Sequence, residues 1–208
     1  MAKVRFPLCP DLHNFPRKVF GSITDLIKPP VSFKNDTLVV ACSELGTAPD
    51  NISFGDRERF FVLQHLAASM PSNAECETYG LSFDSIERLF ENHEFRHVII
   101  YGHLRSQVIP FWLQTAKKKV SDVGSFRRRF ESGTRSLVDN NYIPDSSLER
   151  IELMILEHVL CQIENLMTHT FISERVQAGK TSLYGWAVDI ESARVYGYHT
   201  DQSAFELI

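Results

Sequence analysis

Two short apolar runs, each ending in a chemically reactive side chain, dominate the hydrophobic pattern of this chain. The first is Leu38–Ala41, which leads into Cys42. The second is Val98–Tyr101, which stops at Gly102 and is followed by His103. Runs of this kind, rich in β-branched residues and bounded by glycine or polar residues, are typical of buried parallel strands. Because open α/β sheets bind ligands beyond the carboxyl ends of their strands, both strand ends are candidate site positions.

The rest of the pattern predicts an α/β domain, a mostly parallel sheet of four to five strands flanked by helices. Apolar residues at helical spacing predict one helix over Tyr79–Asn92 and one long helix over Ser147–Val176. Further strands are predicted at Phe60–Leu63, Thr181–Ile190 and Arg194–Tyr198, the last closing the sheet edge. A helix between parallel strands implies a right-handed crossover.

The first 35 residues differ from the remainder. They contain five of the chain's nine prolines, including the pair Pro29-Pro30, and are too short to bury a core of their own. We expect residues 1–35 to form an N-terminal arm that packs on the domain's own flank or on a neighbouring chain. Residues 36–208 are then a single domain of ordinary size.

Composition and charge exclude several classes of partner. The chain has 208 residues, 43% of them hydrophobic, and a net charge of −4. That balance predicts no general affinity for nucleic acid or for an anionic membrane surface. No apolar run approaches the length of about 18–20 residues that a membrane span needs. The basic clusters Lys117–Lys119 and Arg127–Arg129 are interpreted as a solvated helical face, with an anion or partner patch as the alternative.

The four cysteines lie far apart. Cys9, Cys42, Cys76 and Cys161 include no Cys-x-x-Cys pair, which argues against a zinc ribbon and against a disulfide scaffold. The start of the chain also lacks the long apolar stretch of a secretory signal. We therefore expect free thiols in a reducing compartment, either the cytoplasm or the interior of an organelle or microcompartment, and no secretion.

Five segments in order resemble the β-class carbonic anhydrases. The signature of that family is Cys-x-Asp-x-Arg followed by His-x-x-Cys. The corresponding segments here are Cys42-Ser43-Glu44-Leu45-Gly46, His103-Leu104-Arg105-Ser106, Phe60–Ala68, Leu156–Val159 and Tyr184–Ile190. The resemblance covers about residues 34–200. It implies the β-class fold, a zinc ion held by two thiolates and one imidazole, hydration of CO₂, and a dimeric build.

The resemblance also implies that the zinc site is altered. Cys42 and His103 stand at two of the three ligand positions, where each could still bind the metal. Ser106 stands at the position of the second thiolate, and a neutral hydroxyl is a poor zinc ligand. From the residues alone, the favoured interpretation of Cys42 is a small buried hydrophobic side chain at a strand end, with a metal ligand as the alternative. His103 could likewise bond to Glu44 or to a backbone carbonyl.

Other positions around the same site depart from the family pattern as well. Glu44 replaces the aspartate, and Gly46 the arginine, of the pair that orients the nucleophile and controls access to the metal. In the cleft strand, Gln64 and His65 stand where the family has arginine and asparagine. Arg105, next to His103, is a candidate cleft cation or a surface residue.

Three functions are consistent with this sequence. The departures favour a carbonic-anhydrase-like protein without activity, a structural or regulatory subunit without a cofactor, forming a homodimer or pairing with a related carbonic anhydrase subunit. Its interaction surface could include the two basic clusters. The second is a divergent active carbonate dehydratase that holds zinc through Cys42, Glu44 and His103, an acceptable donor set for that metal. The third is a non-catalytic module that binds bicarbonate or another small anion near Arg105.

Overall fold

The computed structural model of the chain describes residues 5–10, 12–13, 15, 19–22, 36–45, 60–79, 83–115 and 130–208. The strands are β1 (Arg5–Pro7), β2 (Thr37–Cys42), β3 (Phe60–His65), β4 (His97–His103), β5 (Ser182–Asp189), β6 (Arg194–His199) and β7 (Ala204–Leu207). The α-helices are α1 (Asn73–Tyr79), α2 (Asp84–Asn92), α3 (Val108–Thr115), α4 (Ser136–Asn141), α5 (Ser147–Met167) and α6 (Thr170–Gln177). Among these helices, none combines the length and the apolar character that a membrane crossing requires.

The strands form one mixed sheet in the order β1-β7-β6-β5-β4-β2-β3. β3, β2, β4 and β5 run parallel to one another, whereas β6, β7 and β1 are antiparallel to their neighbours. The predicted α/β class is confirmed. The predicted count of four to five strands is too low, and β6 is not at the sheet edge, because β7 and β1 lie beyond it. These two strands have four and three residues, too few to show an alternating pattern.

The described parts of the N-terminal segment lie against the domain's own sheet. β1 pairs with β7, with Arg5 opposite Glu206. Further along, Phe20 forms an isolated parallel bridge with Leu183 of β5. The pair Pro29-Pro30 and most of the predicted arm lie outside the described residues, as do both basic clusters. An arm that reaches a neighbouring chain therefore stays a prediction.

Other predicted elements are present with changed bounds. The strand predicted at Phe60–Leu63 continues to His65, and the helix predicted over Tyr79–Asn92 is confined to α2. The single long helix predicted over residues 147–176 is wrong, since α5 ends at Met167 and α6 begins at Thr170. At the break, the Thr168 hydroxyl accepts a hydrogen bond from the Asn73 amide at 2.8 Å. Tertiary contacts of this kind have no local signature in the sequence.

A buried ionic cluster joins His13 to α5 and includes a hydrogen bond from Cys9. The ring of His13 lies 2.5 Å from a carboxylate oxygen of Glu157, and its other nitrogen lies 2.9 Å from Glu164. Tyr142 donates its hydroxyl proton to Glu157 and accepts a hydrogen bond from the Cys9 amide at 2.8 Å. Burial alone lowers the pKa of His13, but contacts with the two carboxylates outweigh it and raise the pKa to about 9. His13 is therefore a buried cation at neutral pH.

Helix α5 packs closely over β4 and β5 at two glycines. A Cβ on Gly102 would lie 2.7 Å from Cγ2 of Val159, and one on Gly185 would lie 3.2 Å from Cγ1 of the same valine. The missing side chains allow the helix to approach the strands directly beneath the end of β4. Gly102 and Val159, which meet at this contact, both line the pocket described below.

Replacing Gly102 with alanine is expected to lower the free energy of unfolding by about 1–3 kcal/mol, because the new methyl group overlaps the stiff Val159 side chain. Urea unfolding of the two proteins measures the difference. Gly133→Ala is the matched control, since a Cβ there meets no atom within 4 Å. An equal decrease in the free energy of unfolding for Gly102→Ala and Gly133→Ala would contradict the explanation by close packing.

Candidate metal centre

Three potential metal ligands meet at one edge of the parallel sheet. Cys42 ends β2 and His103 ends β4, and these strands are adjacent and parallel. Glu44 lies in the short 3-10 turn Ser43–Leu45 that follows β2. The sulfur of Cys42, a carboxylate oxygen of Glu44 and a ring nitrogen of His103 all lie within 4.8 Å of one another. Within the described part of the chain, no other group of three His, Cys, Asp or Glu side chains has one ligand atom from each within 4.8 Å of the other two.

Two of the separations between these ligand atoms match those expected around a tetrahedral zinc ion. Oε2 of Glu44 lies 3.6 Å from Sγ of Cys42 and 3.3 Å from Nε2 of His103. Zinc bonds of about 2.3 Å to sulfur and about 2.0–2.1 Å to nitrogen or oxygen, at tetrahedral angles, place ligand atoms about 3.5 and about 3.3 Å apart. The donor types are also those that zinc accepts. This geometry supports zinc as a candidate and gives no support to the expected absence of a cofactor.

His103 is prepared to act as a neutral ligand. Its side chain is buried, and neither ring nitrogen has a hydrogen-bond partner among the described residues. Nε2 is close to Glu44, but the direction of the contact does not suit a hydrogen bond. Burial lowers the pKa of His103, although the charge of Glu44 opposes that effect. A buried ring nitrogen that makes no hydrogen bond is costly, and a metal ion would satisfy it.

Cys42 is a buried thiol whose sulfur faces two backbone amides. Burial raises the pKa of Cys42 to about 11, while hydrogen bonds from the amides of Glu44 and Ala67 act in the opposite direction. Ala67 adopts a left-handed conformation with φ of 55° in the turn Leu66–Ala68. That conformation costs a residue with a side chain on the order of 1–2 kcal/mol. A cation beside the sulfur would supply the remaining stabilisation that the thiolate needs.

Glu44 is held in place by residues that follow His103. The hydroxyl of Ser106 donates to Oε2 of Glu44 at 2.8 Å. The backbone amide of Gln107 lies 3.1 Å from Oε1 and 3.2 Å from Oε2. Ser106, predicted to occupy the position of a lost thiolate ligand, is thus a hydrogen-bond donor to the carboxylate.

The other predicted cleft residues lie outside this cluster. His65 is opposite Cys42 in the register of β3 and β2, and Gln64 is exposed. Arg105 forms an ion pair with Glu191 at 3.4 Å, and both side chains are largely exposed. Its positive charge is therefore already matched by a carboxylate, which weakens the case for an anion site there. Gly46 lies outside the described residues.

A small pocket opens beside the ligand cluster. It is lined by Cys42, Ala67, Gly102, His103, Ser106, Ile109, Ile155, His158 and Val159. Most of these lining groups are apolar. His158 is fixed in the wall, with Nε2 3.1 Å from the hydroxyl of Ser69 and Nδ1 2.9 Å from that of Thr134. The pocket is small and mostly apolar, and it lies next to Cys42 and His103.

Sequence reasoning did not identify several of the pocket residues, among them His158 and Ala67. His158 belongs to the helical motif Leu156–Val159, and the apolar period of that helix could have placed it on the buried face. Ala67 gave no signal, because alanine does not indicate a left-handed conformation as glycine would.

Comparison with known proteins gives a consistent result. A sequence model of the family described as carbonic anhydrase matches residues 37–195. A carbonic anhydrase of Pseudomonas aeruginosa is 34% identical over 159 residues, which cover 76% of this chain and 70% of that protein. One of Synechococcus elongatus is 26% identical over 160 residues, which cover 76% of this chain and 58% of that protein. The chain spans the same 58% of a relative from Synechocystis.

Solved structures share the fold. The β-carbonic anhydrase CcaA superposes with a TM-score of 0.72 at 25% identity, covering 83% of this chain and 84% of that one. A structure described as one of two tetrameric β-carbonic anhydrases from Sordaria macrospora superposes with a TM-score of 0.65 at 16% identity, covering 80% and 81%.

Proposed function

Because this chain belongs to the β-class carbonic anhydrase family, we propose that it binds one zinc ion through Cys42, Glu44 and His103 and catalyses the reversible hydration of CO₂. The observation that carries this proposal is the meeting of the three ligand atoms within 4.8 Å, with both separations from Oε2 of Glu44 close to those of a tetrahedral zinc ion. Activity, substrate and partners are all part of the proposal, since the chain spans little more than half of its cyanobacterial relatives.

The charge of the donor set supports this function. Two thiolates and one imidazole carry a total charge of −2, and the set Cys42, Glu44 and His103 carries the same charge when Cys42 is ionised. A centre with Cys42, His103 and the neutral Ser106 would carry only −1. Glu44 therefore restores the charge balance expected of a zinc centre in this family.

The residues around the centre have separate roles in the proposed reaction. When bound, zinc acts as a Lewis acid that lowers the pKa of water toward neutrality. Cys42 and Glu44 provide the anionic donors and His103 the neutral one. The apolar side chains of Ile109 and Val159 line a space suited to CO₂, which is small and has no net dipole.

Purified protein is expected to contain about one zinc ion per chain by elemental analysis and to hydrate CO₂ in a stopped-flow indicator assay. Cys42→Ala should remove both properties, because it removes one of only two anionic donors. Cys76→Ala, a cysteine outside the ligand cluster, is the matched control and should keep both. Metal-free wild-type protein without activity, after growth in zinc-supplemented medium, would refute the proposal.

A second candidate is a metal-free family member that serves as a structural or regulatory subunit. The observation in its favour is that the thiol of Cys42 and the hydroxyl of Ser106 both donate to Glu44, so these groups satisfy one another without a metal. The subunit would form a homodimer or pair with a related carbonic anhydrase. Absence of zinc together with a dimeric mass by light scattering would favour this candidate over the enzyme.

A further inference from the structure

The carboxylate of Glu44 makes two kinds of contact through the same oxygen. Oε2 accepts the hydroxyl proton of Ser106 at 2.8 Å and also faces the sulfur of Cys42 and the ring of His103. Oε1 lies 3.1 Å from the amide of Gln107, which is also 3.2 Å from Oε2. The Ser106 hydroxyl and the Gln107 amide, which both follow β4 in the sequence, therefore hold the Glu44 carboxylate by hydrogen bonds.

We propose that Ser106 is a positioning residue that makes Glu44 a metal ligand. The inference rests on the proposed zinc site and adds to it a residue that does not itself bind the metal. Oε2 accepts the hydroxyl of Ser106 at 2.8 Å and shares the Gln107 amide with Oε1, and the same oxygen is the one that lies next to Cys42 and His103. Ser106 thereby fixes which oxygen of Glu44 is presented to the metal, and in which direction.

Because a glutamate side chain is flexible, hydrogen bonds are needed to hold the Glu44 carboxylate in one orientation. A partly exposed glutamate samples several rotamers, and confining it to one arrangement costs conformational entropy. Hydrogen bonds to an ionised acceptor are stronger than neutral ones and offset this cost before the metal arrives. Ser106 is itself buried, so water does not compete freely for its hydroxyl. Residues that orient a ligand in this way typically change metal affinity by 10–100-fold.

The test is a double-mutant cycle on the full chain, with zinc affinity measured by competition against a chromophoric chelator. Ser106→Ala is expected to weaken zinc binding about 10–100-fold, and Glu44→Gln to weaken it further. Because Ser106 acts through Glu44, the double variant should bind zinc no more weakly than Glu44→Gln alone. Ser173→Ala, which removes a serine hydroxyl on α6, is the matched control and should match wild type.

A second measurement separates positioning from ligation. In the cobalt-substituted protein, the thiolate-to-metal absorption band should remain in Ser106→Ala and disappear in Cys42→Ala. Glu44→Asp shortens the side chain so that it loses its contact with Ser106, and adding Ser106→Ala to Glu44→Asp should then change the affinity little. Wild-type zinc binding with unchanged affinity in Ser106→Ala, or additive losses in the cycle, would overturn the inference. Failure of wild type to bind zinc would refute the proposed function itself.

Discussion

Replacing His103 with alanine is expected to lower zinc affinity by about 100-fold or more and to abolish the hydration of CO₂. Structural zinc sites bind with about 10–16 kcal/mol shared among four ligands, so one ligand is worth about 3 kcal/mol. His103 is also the one neutral donor of the cluster, and neither of its buried nitrogens makes a hydrogen bond to another described residue. Zinc content, chelator competition and the hydration rate measure the loss.

The control for this substitution is His199→Ala, at the end of β6 and away from the ligand cluster. Both variants should retain the circular dichroism spectrum of the wild type, so that loss of zinc is not a consequence of unfolding. A His103→Ala protein with one tightly bound zinc ion would show that the centre does not lie between β2 and β4.

Replacing Glu157 with glutamine is expected to lower the free energy of unfolding by about 3 kcal/mol below pH 6.5, because it leaves the buried His13 cation without its closest carboxylate. Glu157 is fully buried and also accepts the hydroxyl proton of Tyr142. Urea unfolding as a function of pH measures the loss. Glu164→Gln should cost less, since the side chain of Glu164 is 39% exposed and water replaces part of its interaction.

The contribution of His13 to the free energy of unfolding should decrease as the pH rises. The pKa of His13 rises from 6.5 to about 9 on folding, so the folded state binds the proton more tightly than the unfolded state. The resulting stabilisation is complete below pH 6.5, declines between pH 6.5 and 9, and is lost above pH 9. The difference in the free energy of unfolding between wild type and Glu157→Gln should become smaller between pH 6.5 and 9. A constant difference from pH 6 to pH 9.5 would contradict a protonated His13.

The sequence predicted the features that depend on local pattern. Buried parallel strands need continuous apolar runs, and such runs marked β2 and β4 together with the reactive residues at their ends. Since neighbouring parallel strands end at the same edge of a sheet, Cys42 and His103 could be expected to meet. The resemblance to a known family added Glu44 as a candidate ligand.

Features that depend on contacts between distant segments could not be predicted. The left-handed Ala67 is held by its surroundings and not by its own preference. Ser106 looked like the remnant of a ligand because sequence alone does not show that a glutamate sixty-two positions away reaches its hydroxyl. At the helix break, Thr168 likewise accepts a hydrogen bond from Asn73, which is 95 positions away in the sequence.

The pairing of β1 with β7 sets an order for folding. The side chain of Arg5 bonds to the carbonyl of Gln202, a separation of 197 residues. Closing so long a loop is entropically costly and is compensated only after the intervening sheet exists. During synthesis, β7 leaves the ribosome last among the described strands. β1 therefore stays unpaired until β7 has been synthesised. The parallel strands that carry Cys42 and His103 can pair earlier, so the side chains of the candidate metal centre can come together before β1 meets β7.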